Sequence, residues 1–278
     1  MDQRSQIAIL GFGVEGRAML KYLINHGYSH LTVCDQNVDL PDDMPEGVSV
    51  RLGPDYLADL KDFDAVFRSP GIPFLHPLIQ SAAAAGVEVS SAINYFMDQC
   101  PCEVIGVTGT KGKGTTSTLI YELLKAGGRK PGENLFLGGN IGKCPIVFLD
   151  ELKGDSLVVL ELSSFQLQDL KVAPKYSVVL NTTSDHLDYH VDRDEYMRAK
   201  ESLLSQQGEG GFAVLNSDYE YYKYYAGLVN GDLREVSVND EVSNGAFVKD
   251  GEIFVAEDGK NEKVCDVEEV KLIGSHNI

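Results

Sequence analysis

Twice along this 278-residue chain a short apolar run ends in a cluster of glycines and passes at once into residues with helical spacing. The first instance is Ile7 to Leu10, then Gly11-Phe12-Gly13-Val14-Glu15-Gly16, then apolar positions at helical intervals from Arg17 to His26. The second is Val104 to Val107, a turn reaching Gly114, and a helical pattern from about Lys113 to Ala126. Each reads as strand, glycine turn and helix. Around them, short β-rich runs recur at Leu31 to Val33, Val48 to Leu52, Ala65 to Phe67, Val87 to Val89, Leu157 to Leu160, Tyr176 to Leu180 and Phe212 to Leu215. Strands alternating with helices imply a parallel sheet joined by crossovers, and uninterrupted apolar runs fit strands covered on both faces. The segment AFVKDGEIFVAE reads as a hairpin turning at Asp250-Gly251, which predicts an antiparallel edge. Cys100-Pro101-Cys102 interrupts the pattern just before the second glycine unit. The expected organisation is therefore α/β with two domains, residues 1–100 and residues 101–278.

The two turns carry different chemistry. Gly11, Gly13 and Gly16 satisfy GxGxxG directly after a strand, and Asp35 follows about twenty residues on. The glycines permit close backbone approach, the helix start offers free amides to an anion, and the acidic side chain can accept hydrogen bonds from a sugar or base. Alone, this pattern is weak, and it also fits a nicotinamide dinucleotide or a turn with no ligand. Glu15, inside the turn, opposes a diphosphate unless it points away. The second turn, Gly106-Val107-Thr108-Gly109-Thr110-Lys111-Gly112-Lys113-Gly114-Thr115-Thr116, gathers backbone amides, lysines and hydroxyls at a helix start. These are the groups needed to hold the phosphates of ATP. It departs from GxxxxGK[ST], because Gly114 stands where a magnesium-binding hydroxyl belongs.

Composition narrows the partners. A net charge of -18 argues against nucleic acid and anionic lipid, both polyanions. No apolar run approaches the roughly 20 residues that span a bilayer, and MDQRSQIAIL lacks the pattern of a secretory signal, so the cytoplasm is the expected location. The five cysteines are scattered without paired CxxC spacing and read as reduced thiols. Glu161 ends an apolar run, a position suited either to a magnesium ion beside the phosphate loop or to capping the segment that follows. His186 and His190 stand at zinc-pair spacing, but the glutamate of HExxH is missing between them.

GTKGKGT resembles the phosphate loop of the Mur ligase family, with the glycine after the lysine as in the related folylpolyglutamate synthases. SPGI (Ser69 to Ile72), GGNIG (Gly138 to Gly142), ELSSFQL (Glu161 to Leu167), NTTSDHLDYH (Asn181 to His190) and GSHN (Gly274 to Asn277) match in order, so the resemblance covers essentially the whole chain. It implies a Rossmann-like N-terminal domain, a P-loop-type central ATPase domain with a mostly parallel sheet, and a C-terminal domain absent from this chain.

By the same resemblance, Gly109, Thr110, Lys111, Gly112, Lys113, Gly114 and Thr115 hold ATP, and Asn277 meets its adenine. Glu161, His186 and Lys200, the last as a carbamate, bind two magnesium ions, with Thr115 supplying the hydroxyl that Gly114 lacks. An amine must be neutral to capture carbon dioxide, so carbamylation of Lys200 requires a site that lowers its proton affinity; otherwise Lys200 reads as a solvated lysine on a helix face. Asp35 and Gln36 would contact uracil, while Val14, Glu15 and Gly16 with Ser69, Pro70 and Gly71 hold a diphosphate. Asn140, Ser163, Gln166 and His186 would face a muramoyl-alanine end. Glu15, Gln36 and Asn37 depart from the residues the family places there.

The implied reaction is ATP-dependent addition of D-glutamate to UDP-N-acetylmuramoyl-L-alanine through an acyl phosphate, in bacterial peptidoglycan synthesis. Lys113, Glu161, His186 and Lys200 are its expected catalytic residues, the protein acting as a monomer. D-glutamate would bind a third domain after GSHN, so this chain is expected to bind substrate and form little product. Three other readings compete: another Mur or folylpolyglutamate-type ligase, an NAD-dependent oxidoreductase, and a non-catalytic nucleotide-binding module.

Overall fold

The computed structural model describes residues 2–39, 44–182, 193–208 and 210–271. In chain order the elements are β1 (Ile7–Leu10), α1 (Val14–Asn25), β2 (Leu31–Asp35), β3 (Ser49–Leu52), β4 (Ala65–Arg68), α2 (Pro77–Ala84), β5 (Glu88–Ser90) and α3 (Ala92–Gln99). There follow β6 (Glu103–Thr108), α4 (Lys113–Ala126), β7 (Leu135–Gly139), β8 (Leu157–Glu161), α5 (Ser164–Leu167), β9 (Tyr176–Val179), α6 (Arg193–Ser205), β10 (Phe212–Asn216), α7 (Tyr222–Ala226), β11 (Asp232–Ser237), β12 (Gly245–Lys249), β13 (Glu252–Glu257) and β14 (Lys260–Asp266).

The strands form two sheets. β3-β2-β1-β4-β5 is parallel throughout, with β1 at its centre and all four of its residues buried. The larger sheet runs β14-β13-β12-β11-β10-β9-β6-β8-β7, parallel from β7 to β12 and antiparallel beyond. The fold is α/β with mostly parallel sheets, as the alternating pattern implies. The hairpin between β12 and β13 turns at Asp250 and Gly251, both with positive φ (52° and 81°), the backbone that suits the twist of a two-residue turn.

Three strands were not legible in the pattern. β7 ends in two glycines, β14 is mostly exposed, and β11 mixes charged and apolar residues without regular alternation, within a tyrosine-rich and acidic stretch. Helix α1 also starts earlier than its apolar spacing suggests, at Val14, because Gly13 serves as its cap and lets the glycine turn enter the helix directly.

A continuous apolar core runs from α1 and α3 on the first sheet to the β7 and β8 region of the second. The ring of Phe96 meets Phe148 edge-on at 5.9 Å, and Phe148 stacks on Phe136 at 5.2 Å. Aromatic packing of this kind adds about 0.5–1.5 kcal/mol per pair beyond area burial. Both glycine turns lie at the C-terminal ends of the central parallel strands, where open α/β sheets form ligand crevices. Among the described residues no helix is long and apolar enough to cross a membrane.

Candidate functional site

The first cradle is a close-packed turn. A Cβ at Gly16 would lie 2.0 Å from the carbonyl oxygen of Gly11, so only glycine lets α1 start this near the strand. Ser69 Oγ donates to the Gly11 carbonyl at 2.8 Å, which fastens the SPGI loop to the turn. The structure thus brings together Val14, Glu15 and Gly16 with Ser69, Pro70 and Gly71. No side chain caps α1, which leaves its first-turn amides for another acceptor. Asp35 is partly buried, and its carboxylate accepts from the amides of Phe12 (2.6 Å) and Asn37 (2.8 Å). Its side chain shapes the turn, and Gln36 beside it is exposed.

The second cradle spans the end of β6 and the start of α4. Gly109 has φ 147°, and a Cβ there would lie 2.6 Å from Leu180 Cβ. Gly112 caps α4 from the left-handed region (φ 83°) without a side-chain cap, so amides open at this helix start too. Lys113 Nζ donates to the carbonyls of Gly109 and Thr110, each at 3.0 Å, folding across the loop. Thr110 is held by its amide on the Asn181 carbonyl at 2.9 Å and by its hydroxyl against Tyr196 Oη at 2.9 Å. Lys111 and Thr115 are exposed.

Glu161, at the end of β8, is buried and faces this loop. A Cβ on Gly114 would sit 3.1 Å from Glu161 Oε2, so glycine at that position leaves room for the carboxylate beside the helix start. Its Oε1 accepts from Asn140 Nδ2 at 2.8 Å. The helix after it is capped by Ser163, not Glu161, which removes the capping role weighed from sequence. Ser163 and Gln166 form a reciprocal capping box on α5. Lys200, on α6, is only 1% exposed and lies with Nζ 4.3 Å from the Tyr196 ring centroid. The solvated helix face considered for it is therefore not its setting. His186, His190 and Asn277 lie outside the described residues.

Two contacts tie the cradles together, and sequence reading had no role for them. Gln166 Nε2 donates to Glu15 Oε1 at 2.6 Å, so one oxygen of the Glu15 carboxyl is held by α5. Burial pushes the Glu15 carboxyl above its ordinary range; the hydrogen bond from Gln166 and the charge of Arg68 oppose this, and Asp169 adds to it. Arg68, the last residue of β4, is buried; its guanidinium donates to Asp169 Oδ1 (2.7 Å) and to the carbonyls of Ile72 (2.7 Å) and Phe165 (3.0 Å). Asn94 Nδ2 donates to the Asp169 carbonyl at 2.6 Å. The available signal was an arginine closing an otherwise apolar strand, immediately before SPGI. Tyr196, which links Thr110 to the neighbourhood of Lys200, carried no signal in the sequence.

Two family models match the chain: Mur ligase middle domain over residues 107–278, and Mur ligase MurD-like, N-terminal domain over residues 5–91. The chain is 34% identical over 281 residues to the UDP-N-acetylmuramoylalanine--D-glutamate ligase of Clostridium botulinum (strain 657 / Type Ba4), and 35% identical over 279 residues to that of Clostridium tetani (strain Massachusetts / E88). Each alignment covers 98% of this chain and 59% of the relative, so the chain spans under two thirds of their length. Among solved structures, the fold resembles the UDP-N-acetylmuramate:L-alanyl-gamma-D-glutamyl-meso-diaminopimelate ligase from Neisseria meningitides (TM-score 0.58, 19% identity, 99% of this chain and 90% of that one). It also resembles a murein peptide ligase from Psychrobacter arcticus 273-4 (TM-score 0.55, 18% identity, 98% of this chain and 62% of that one).

Proposed function

The chain belongs to the Mur ligase family, and from that premise we propose that it provides the nucleotide-sugar and ATP cradles of a ligase joining D-glutamate to UDP-N-acetylmuramoyl-L-alanine. The observation that carries this reading is the approach of the Glu161 carboxylate to Gly114, at the mouth of the loop bearing Lys113. A carboxylate and an ammonium beside open helix amides suit a metal-bound triphosphate.

Forming an amide from a carboxylate is uphill, so the acid first needs a good leaving group. In the proposed reaction the L-alanine carboxylate oxygen attacks the γ-phosphorus of ATP and ADP departs. The amine of D-glutamate then attacks the acyl phosphate carbonyl and releases phosphate. The residues contribute positioning and charge. Lys113 exchanges the Gly109 and Thr110 carbonyls for phosphate oxygens. Glu161, oriented by Asn140, would hold magnesium, and the bound ion would supply positive charge to offset that of the phosphates and the carboxylate. His186 and a carbamate on Lys200 would complete a second magnesium site, and Asn277 would meet adenine. In the first cradle, Val14, Glu15, Gly16 and Ser69 to Gly71 hold the diphosphate, with Asp35 and Gln36 at the uracil. Asn140, Ser163 and Gln166 lie toward the muramoyl-alanine end. In this reading the domains meet at Cys100 to Cys102 and the protein works as a cytoplasmic monomer, a state that sedimentation measures.

A melting-temperature comparison tests the ATP half. A non-hydrolysable ATP analogue with magnesium should stabilise the chain, and Glu161→Gln should erase the magnesium-dependent part of the shift. An equal shift in Glu161→Gln would contradict the assigned metal role.

A further inference from the structure

Glu15 is the residue of the first cradle with the least obvious purpose, because a carboxylate inside a diphosphate-binding turn should repel the ligand. The structure answers part of this. Ser163 donates from both its amide (3.0 Å) and its hydroxyl (3.1 Å) to Gln166 Oε1, which fixes the orientation of that amide. Gln166 Nε2 is left as the donor to Glu15, at 2.6 Å, so Glu15 Oε1 is an acceptor whether or not the carboxyl is ionised. Glu15 Oε2 is buried and has no hydrogen-bond partner among the described residues. Any proton on this carboxyl therefore resides on Oε2, where it has nothing to donate to.

We propose that Glu15 receives the nucleotide sugar in its protonated form, donating from Oε2 to an oxygen of the ligand's diphosphate, so that binding takes one proton from solution. This rests on the reading of the first turn as the diphosphate cradle. Among the described residues, the charged and titratable groups facing Glu15 are Arg68 at the end of β4, Asp169 after α5, and the Cys144 thiol before the segment Pro145–Glu151. Arg68 favours the ionised carboxylate and Asp169 opposes it, while burial, the largest influence, favours the neutral form. Cys144 is itself pushed up to about 12, by burial first and by Glu15 second, and brings no positive charge. A diphosphate at the amides of the same helix turn tips the balance further, since two like charges in a water-poor crevice repel strongly. Protonation removes that repulsion and converts an orphaned acceptor into a donor.

Titration calorimetry with UDP-N-acetylmuramoyl-L-alanine, in magnesium-free phosphate and Tris buffers at one pH, counts the protons exchanged. The ligand's own ionisation is common to all variants and cancels between them. The wild-type chain should take up close to one proton more than Glu15→Gln, and its affinity should fall as pH rises. Glu15→Gln retains an acceptor for Gln166 and places an N–H where the Oε2 proton was, so it should bind at least as tightly as wild type. Glu15→Ala, with no donor, should bind about tenfold more weakly. Circular dichroism melts establish that each variant is folded. Equal proton uptake by wild type and Glu15→Gln, or a tenfold loss of affinity in Glu15→Gln, would overturn the proposal, because the ionised carboxylate would then be the binding form. Absence of any saturable heat with the folded wild-type chain would instead defeat the cradle assignment, and this inference with it.

Discussion

The guanidinium of Arg68 and the carboxylate of Asp169 lie 2.7 Å apart, both almost wholly shielded from solvent, across a separation of 101 residues. Arg68 precedes SPGI at the first cradle, and Asp169 follows ELSSFQL beside the second. Because Arg68 also donates to the carbonyls of Ile72 and Phe165, one side chain holds both recognition segments in register.

Removing one partner of a buried ion pair leaves the other charge uncompensated, which costs about 3–5 kcal/mol. Asp169→Ala should therefore lower unfolding stability by about that amount in urea titrations. Arg68→Met/Asp169→Leu should recover part of the loss and not all, since the Ile72 and Phe165 carbonyls lose their donor. A loss below about 1 kcal/mol in Asp169→Ala, the range of an exposed pair, would show that the pair does not fasten the two segments.

Lys113 has a different signature. Among the described residues its amine meets two loop carbonyls, so Lys113→Ala should lower the melting temperature by no more than about 4 °C, the scale of one or two hydrogen bonds in a chain of this size. The same variant should lose the stabilisation by an ATP analogue. Retention of that stabilisation would remove Lys113 from the phosphate site.

Lys200 is buried, with Nζ over the Tyr196 ring, so a carbamate formed on it would be shielded from bulk water. Incubation with 13C-labelled bicarbonate should yield a carbamate carbon resonance in the wild-type chain that is missing from Lys200→Arg. An identical spectrum for the two proteins would exclude the carbamate.

The pH dependence of stability follows from Glu15. Its carboxyl lies above the ordinary value of 4.5 in the folded chain, so the native state holds more protons than the unfolded one between 4.5 and that raised value. Stability from this group falls as pH rises through the window and stays lower above it. Glu15→Gln should match wild type below pH 4.5 and become progressively more stable than wild type as the pH increases. Chemical denaturation across pH 4 to 8 measures the gap; a gap of opposite sign would mean that the folded state favours the carboxylate.

Much of the architecture was legible because local pattern and tertiary role agreed. Gly16 and Gly109 sit where backbone approach forbids a Cβ, Ile7 to Leu10 forms a buried central strand, and Asp250-Gly251 turns a hairpin. Glu161 was legible as the end of a buried strand. The links between the cradles were not, because Arg68, Asp169, Glu15 and Gln166 are separated in sequence and become partners only when the two sheets pack. Tyr196 was hidden for the same reason: its value lies in reaching Thr110 and Lys200 at once. β11 and β14 were obscured because their exposed or mixed surfaces lack the apolar alternation of a half-buried strand.

The account stands on two separate anion sites, and competition calorimetry reads them most directly. The wild-type chain, given UDP-N-acetylmuramoyl-L-alanine and a non-hydrolysable ATP analogue with magnesium, should bind one equivalent of each together. Lys113→Ala should lose only the second. Displacement of one ligand by the other, or saturable binding of NAD in place of the uridylated sugar, would contradict it.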